Sequence, residues 1–143
     1  MAHETKARPV ARGDDQRVNI DFGELFSPIV AVSSVRLLTA MACELDLDLC
    51  HFDIEQVFVQ SDLKENVFVR LPQGCGSLSG ERVRMNKSLH GLKQASSQWH
   101  AHLTRCLVTL GFVQCLADAC VFRLMDEGKV VMTIVVHVDD VLW

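Results

Sequence analysis

Residues 129–142 read KVVMTIVVHVDDVL, and this stretch decides the fold class. The β-branched run over 130–136 is typical of a strand that is buried on both faces, as a central strand of a sheet is. The run leads directly into the adjacent carboxylates of Asp139 and Asp140. Two carboxylates this close repel each other unless a cation compensates, and Mg²⁺ is a hard cation that oxygen ligands bind.

The residues on either side of this strand predict an antiparallel sheet. Residues 119–125 and 129–136 read as two strands joined by Asp126-Glu127-Gly128, a connection of hairpin length. Alternation of apolar and polar residues predicts strands over 47–53 and 82–87. Residues 66–71 read as a further short strand, and residues 6–11 as an edge strand in which Pro9 is tolerated.

Two segments carry apolar residues at helical spacing. The first helix is predicted to start at Ser33 or Ser34 and to run to about residue 46, and the second to start at Ser96 or Ser97 and to end before Gly111. The predicted buried faces are Val35, Leu38, Met41, Ala42 and Leu45 in the first helix, and Trp99, Leu103, Cys106, Leu107 and Leu110 in the second. The order of elements predicts an α+β fold, an antiparallel sheet with helices packed on one face.

A third carboxylate ends another predicted strand, since Asp53 closes the stretch LDLCHFD over 47–53. If this strand neighbours the one that precedes Asp139 and Asp140, three carboxylates converge on one spot. Such a set holds two divalent metal ions in phosphoryl transfer, with Mg²⁺ expected and Mn²⁺ as the alternative. A solvated turn is the competing interpretation of an isolated Asp-Asp pair.

Composition limits the classes of protein that remain. The chain has 143 residues, 49% of them hydrophobic and 22% charged, which excludes a wholly disordered chain. Its net charge of −4 argues against a protein that coats nucleic acid with a generally basic surface, though not against a local basic groove. No apolar run is long enough to span a membrane, and the charged N-terminus has no signal-like core, so an intracellular protein, cytoplasmic or nuclear, is expected with its six cysteines reduced.

Four ordered blocks carry a family resemblance. They are HFDIEQVFVQSDLKENVFVRLPQG over 51–74, KSLHGLKQASSQWH over 87–100, LGFVQCLADACVF over 110–122 and VVHVDDVL over 135–142. Together with KARPVARG over 6–13 and FSPIVAVSSVRLL over 26–38, they resemble the fingers-palm part of a copia-type retrotransposon reverse transcriptase, a part of the Pol polyprotein. The resemblance covers about residues 6–142.

The resemblance implies a polymerase palm-like sheet with partial fingers, truncated. Residues 1–46 would be fingers-like and residues 47–143 palm-like, together forming one partial domain. Asp53, Asp139 and Asp140 match the family's catalytic aspartates, which hold two Mg²⁺ ions during RNA-directed DNA synthesis. The implied partners are an RNA or DNA template-primer and deoxynucleotide triphosphates, with no membrane involved.

The resemblance also implies roles for residues outside the aspartates. The implied nucleotide-binding residues are Lys6, Arg8, Phe58 and Lys93, and Arg12 lies in the same basic segment as the first two. The implied nucleic-acid-binding residues are Arg84, Gly91, Gln94 and His137. The competing interpretation of Phe58 is a core phenylalanine. Lys6, Arg8 and Arg12 could instead be a solvated basic segment. Arg84 and Lys93 could instead belong to a solvent-exposed strand edge.

Departures from the family's pattern bear on activity. His90, His100 and His137 stand where the family has Tyr, and the strand over 130–136 is expected to lack a returning partner because the sequence stops at Trp143. Self-association through the exposed sheet edge is therefore expected. The alternative to an active polymerase fragment is a non-catalytic remnant that retains at most metal or nucleic-acid binding. A metal-dependent nuclease or phosphatase is a weaker alternative, because no His or Lys stands with the acids as a general base.

Overall fold

The computed structural model describes residues 9–23 and 25–143. The helices are α1 Val32–Glu44, α2 Val57–Gln60 and α3 Ala95–Thr109, and single 3-10 turns occur at Gly13–Asp15 and Gly76–Leu78. The strands are β1 His51–Asp53, β2 Phe68–Arg70, β3 Arg82–Arg84, β4 Phe112–Gln114, β5 Val121–Asp126, β6 Lys129–His137 and β7 Asp140–Leu142. The predicted roles of Lys6 and Arg8 lie outside the described residues.

The chain divides into two compact units. The first unit combines the described residues before Phe26 with Phe58–Gln98, and the second combines Phe26–Val57 with Trp99–Trp143. The assignment of residues 1–46 to fingers and 47–143 to palm stays a prediction.

The second unit contains a five-stranded antiparallel sheet in the order β1-β7-β6-β5-β4. The predicted central position of β6 is confirmed, although its first half is exposed, with Val130 at 48% and Val131 at 56%. The expectation that β6 lacks a returning partner is wrong, because the chain turns at once and comes back as β7. Trp143 then exchanges two backbone hydrogen bonds with Cys50, at 2.7 and 2.9 Å. The edge of β6 from which self-association was expected is therefore paired with β7, which in turn pairs with β1.

The β5–β6 hairpin has a tighter turn than the sequence suggested. Asp126 pairs with Lys129, so Glu127 and Gly128 alone form the turn. Both have positive φ, 46° and 79°, as a two-residue type I′ turn requires. This turn fixes the register that brings the end of β6 to its place in the sheet.

The core of the second unit lies between α3 and the sheet. Phe122 is fully buried, and Leu107 of α3 packs in the same cluster as Val136 and Val141. Cys106 and Leu110 were predicted to share this buried face, and that part of the prediction is wrong because both are exposed. The apolar stripe of α3 is therefore narrower than the sequence spacing suggested.

Helix α1 buries less of its predicted apolar face than the sequence spacing suggested. Of its predicted apolar face only Ala42 is buried, and Met41 and the following Leu45 remain 46% and 58% exposed. The predicted serine cap is also absent, since the N-cap residue is Ala31 and makes no side-chain cap. Instead of capping the helix, the Ser34 hydroxyl donates a hydrogen bond to a carboxylate that is far away in the sequence.

That carboxylate is Asp118, which precedes β5. Its Oδ2 accepts hydrogen bonds from the Ala31 amide at 3.0 Å and from the Ser34 hydroxyl at 2.6 Å. Its Oδ1 accepts one from the Cys120 amide at 2.9 Å. Burial alone would raise the pKa of Asp118, but the hydrogen bonds from Ser34, Cys120 and Ala31 outweigh it, so the pKa lies below its usual value.

The first unit is built on the two-stranded β2–β3 ribbon. Its buried cluster is Val67, Leu92 and Ala95, and five partly buried residues pack on it, namely Ala11, Phe58, Leu63, Met85 and Leu89. The predicted strand over 6–11 is not formed in its described part, but the Ala11 amide donates a 2.7 Å hydrogen bond to the His90 carbonyl. Gly13 and Gly91 allow these backbones to touch, because a Cβ on either would collide with a carbonyl of the opposite segment.

The structure is thus a mixed helix and antiparallel-sheet fold, which confirms the α+β class. The six cysteines are free thiols, as expected. Within the described ranges, no helix combines the length and apolar character that crossing a bilayer requires.

Candidate active site

The sheet of the second unit places acidic and histidine side chains in one row across three strands. His137 of β6 lies opposite Asp140 of β7, and Asp140 lies opposite Asp53 of β1. Directly opposed residues of antiparallel strands project from the same face, with Cβ atoms about 5 Å apart. The neighbouring row of Val136 and Val141 is buried, so the acidic row lies on the face away from the core.

The turn that carries the third aspartate is short and strained. Val138 and Asp139 form the two-residue connection between β6 and β7, and Val138 has a φ of +57°. A β-branched residue rarely adopts positive φ, so the surrounding structure must hold it there.

Two hydrogen bonds from outside the hairpin hold this turn. The buried indole of Trp99 donates from Nε1 to the Val138 carbonyl at 2.6 Å, and the Ile54 amide donates to the Asp139 carbonyl at 2.8 Å. Ile54 directly follows Asp53, so the second bond also ties the end of β1 to the turn. The three predicted aspartates are therefore joined by one backbone arrangement.

A histidine that the sequence did not single out lies beside Asp140. His51 is two residues before Asp53 on the same strand face, and its Nε2 is 3.0 Å from Asp140 Oδ1. The expectation that no His stands with the acids is wrong. The i, i+2 alternation of a strand could have indicated it, because His51 and Asp53 share a face.

The donor set fits a hard divalent cation without forming a complete cage. Within the described ranges, no three or more His, Cys, Asp or Glu side chains are arranged to hold a metal ion. Mg²⁺ is usually bound through one or two carboxylates together with substrate phosphates and waters, so a full protein cage is not needed. Asp53 and Asp140 on one exposed face, with Asp139 adjacent, supply carboxylates of that kind.

In the first unit, Phe58 is partly buried rather than free. It lies on α2, a helix that the sequence did not predict, and its ring meets the His90 ring edge-on at 4.7 Å. It also packs on the apolar cluster of its unit, as the interpretation as a core phenylalanine requires. Its nucleotide-binding role stays a prediction.

The block over 91–94 is held to the N-terminal segment by a buried amide network. Gln94 is 1% exposed, accepts a 3.0 Å hydrogen bond from Gln16 Nε2, and donates one to the Asp21 carbonyl at 3.1 Å. Its side-chain amide is thus hydrogen-bonded within the chain, and its predicted contact with nucleic acid stays a prediction. The exposed Lys93 places its Nζ 4.9 Å from the centre of the Phe22 ring. Gly91 allows the close approach of its backbone to the Ala11 carbonyl.

The remaining predicted cations are on the surface. Arg84 is exposed at the end of β3, whereas Arg12 forms ion pairs with Asp14 at 2.7 Å and Asp15 at 3.4 Å. Those contacts raise the pKa of Arg12, chiefly through the hydrogen bond that its guanidinium donates to the Asp14 carboxylate. His137 is exposed within the acidic row described above.

Sequence reasoning missed the contacts that position the site. Trp99 was predicted on the buried stripe of the second helix, and its burial is confirmed, but its hydrogen bond to the turn has no sequence signal. A buried indole N–H usually finds a hydrogen-bond acceptor, so the sequence could indicate that Trp99 has a partner but not which one.

Comparison with known proteins identifies the family. The family model described as reverse transcriptase (RNA-dependent DNA polymerase) matches residues 1–143. The chain belongs to this reverse transcriptase family. The copia-type reverse transcriptase resemblance of the sequence is thereby confirmed.

Curated relatives of this reverse transcriptase chain are long transposon polyproteins. It is 34% identical to the Retrovirus-related Pol polyprotein from transposon TNT 1-94 of Nicotiana tabacum. It is 33% identical to those from transposons RE1 and RE2 of Arabidopsis thaliana. Each match covers 96% of this chain but only 9–10% of the relative, so the chain spans about a tenth of their length. No solved structure gives a significant match.

Proposed function

We propose that this chain is a catalytic fragment of an RNA-directed DNA polymerase, in which Asp53, Asp139 and Asp140 serve nucleotidyl transfer. The observation that carries the proposal is the register that opposes Asp53 to Asp140 on one face, with Asp139 in the adjoining turn. Membership of the reverse transcriptase family supports the reaction class. The substrates would be deoxynucleotide triphosphates and an RNA or DNA template-primer.

The carboxylates would act by holding divalent ions. Mg²⁺, with Mn²⁺ as a substitute, would supply a Lewis acid for the primer hydroxyl and for the leaving pyrophosphate. Asp53 and Asp140 would bind from neighbouring strands, and Asp139 from the turn between β6 and β7. Trp99 and Ile54 hold the carbonyls of the turn that carries Asp139, which keeps the backbone of that turn in place.

The first unit would supply substrate contacts. The family pattern implies nucleotide contact for Lys6, Arg8, Phe58 and Lys93. It implies nucleic-acid contact for Arg84, Gly91, Gln94 and His137. In polymerase terms, the five-stranded sheet would be the palm and the N-terminal segment part of the fingers. As part of a retrotransposon polyprotein, the chain would act inside the cell, in the cytoplasm or the nucleus.

Primer extension on an RNA template with Mg²⁺ tests the proposal. Addition of deoxynucleotides that disappears in Asp53→Asn and Asp140→Asn, and persists in the exposed control Asp126→Asn, is the expected result. Extension that survives both substitutions would contradict the assignment. An inert chain that still binds Mg²⁺ or RNA would support the alternative, a non-catalytic remnant.

A further inference from the structure

The β2–β3 ribbon has one face of unusual composition. Its register opposes Phe68 to Arg84 and Arg70 to Arg82. Because side chains alternate along a strand, these four residues share one face. All four are exposed, and Phe68 is 62% exposed, whereas Val69 and Val83 on the other face are partly buried.

The charged residues of this ribbon face are all arginines, and two of them directly oppose each other. Like charges directly opposite each other on antiparallel strands are destabilising, and Arg70 lies directly opposite Arg82. None of the ion pairs formed among residues 9–23 and 25–143 includes Arg70, Arg82 or Arg84. An anionic partner would relieve this repulsion, and the chain's net charge of −4 means that the attraction has to be local.

We propose that the ribbon face of Phe68, Arg70, Arg82 and Arg84 binds single-stranded nucleic acid. Arg82 and Arg84 are two residues apart on one strand, about 7 Å, which suits successive phosphates of an extended chain. An exposed aromatic ring beside cations gives a base a platform on which to stack. A lipid headgroup or an acidic peptide would use the guanidinium groups but not the ring.

The inference rests on the proposed function for its ligand class, but it requires neither catalysis nor metal. Loss of polymerase activity in the aspartate variants says nothing about the ribbon face, and binding to the ribbon face says nothing about the aspartates. The two can therefore fail separately.

Fluorescence anisotropy of a labelled single-stranded RNA 12-mer, measured on the whole chain without Mg²⁺, tests the charge component. We expect R82Q/R84Q to weaken binding at least ten-fold at low salt and to reduce the slope of log K against log salt by about 1.4, since each phosphate contact contributes about 0.7. The control R105Q/R123Q removes two exposed arginines from the second unit and should change binding less than three-fold. Equal losses in both double variants would overturn the proposal.

A matched aromatic pair tests the stacking component. Phe68→Leu should weaken RNA binding at least five-fold, whereas Phe26→Leu, at a residue that is 82% exposed in the second unit, should leave it unchanged. Polyglutamate of equal charge should compete poorly with the RNA. Competition as strong as that of RNA, or no effect of Phe68→Leu, would mean that the ribbon face binds polyanions without regard to bases, and the proposal would be wrong.

Discussion

The hydrogen bond from Trp99 to the Val138 carbonyl offers a direct way to perturb the turn that carries Asp139. Trp99→Phe keeps an aromatic ring but removes the N–H donor of a 2.6 Å hydrogen bond. Leaving a buried acceptor without its partner costs about 1–3 kcal/mol. The smaller ring leaves part of a site unfilled in which Trp99 is only 3% exposed, which adds about 1 kcal/mol. The free energy of unfolding should therefore fall by about 2–4 kcal/mol.

Trp143→Phe is the matched control, because Trp143 is 38% exposed and its ring makes no hydrogen bond within the described part of the chain. A surface change of this kind should alter the free energy of unfolding by about 0.5 kcal/mol or less. Urea unfolding followed by far-ultraviolet circular dichroism measures both variants, since tryptophan fluorescence would be altered by the substitutions themselves. Amide hydrogen exchange at Ile54, which donates to the Asp139 carbonyl, reports on the turn specifically. Equal destabilisation in the two variants, or unchanged Ile54 exchange in Trp99→Phe, would refute the reasoning.

Three further predictions concern other parts of the molecule. Burial, with a smaller contribution from the charge of Asp118, raises the pKa of the Cys120 thiol to about 11, so at pH 8 a thiol reagent should label the exposed cysteines first and Cys120 only after unfolding. Because the pKa of Asp118 is lowered in the folded state, its contribution to stability is fully present above the usual aspartate pKa and is lost as pH falls through the lowered, folded-state pKa; acid titration of stability should give a weaker dependence in Ser34→Ala. Gly91→Ala should lower the free energy of unfolding by more than about 1 kcal/mol, and by more than Gly74→Ala, since both have positive φ but only Gly91 faces a backbone carbonyl of the N-terminal segment.

The sheet was predictable where local patterning and turn chemistry agree. The β-branched run of β6 and the turn at Gly128 specify a central strand and its hairpin, and both are present. The return of the chain as β7 was missed because three residues give almost no period to read, and their pairing with β1 depends on residues far apart in sequence.

The helices show the same limit. Helical spacing located α1, but Met41 and Leu45 of its predicted buried face are exposed, and the hydrogen bonds from Ala31 and Ser34 to Asp118 are contacts that no local pattern encodes. At the candidate site, the three aspartates were predicted from sequence, whereas the contact between His51 and Asp140 and the hydrogen bond from Trp99 depend on tertiary geometry. Local sequence thus predicted which groups could do chemistry, and the fold determined how they are held.

The central claim is that Asp53 and Asp140 form one divalent-cation site, and Mn²⁺ binding measured by electron paramagnetic resonance tests it most directly. Either single change, Asp53→Asn or Asp140→Asn, should weaken binding at least ten-fold, and the double variant should bind little worse than the singles, because one lost carboxylate already breaks a joint site. Asp126→Asn should bind within two-fold of the unaltered chain. Equal small losses in all three single variants, adding up in the double variant, would contradict the claim.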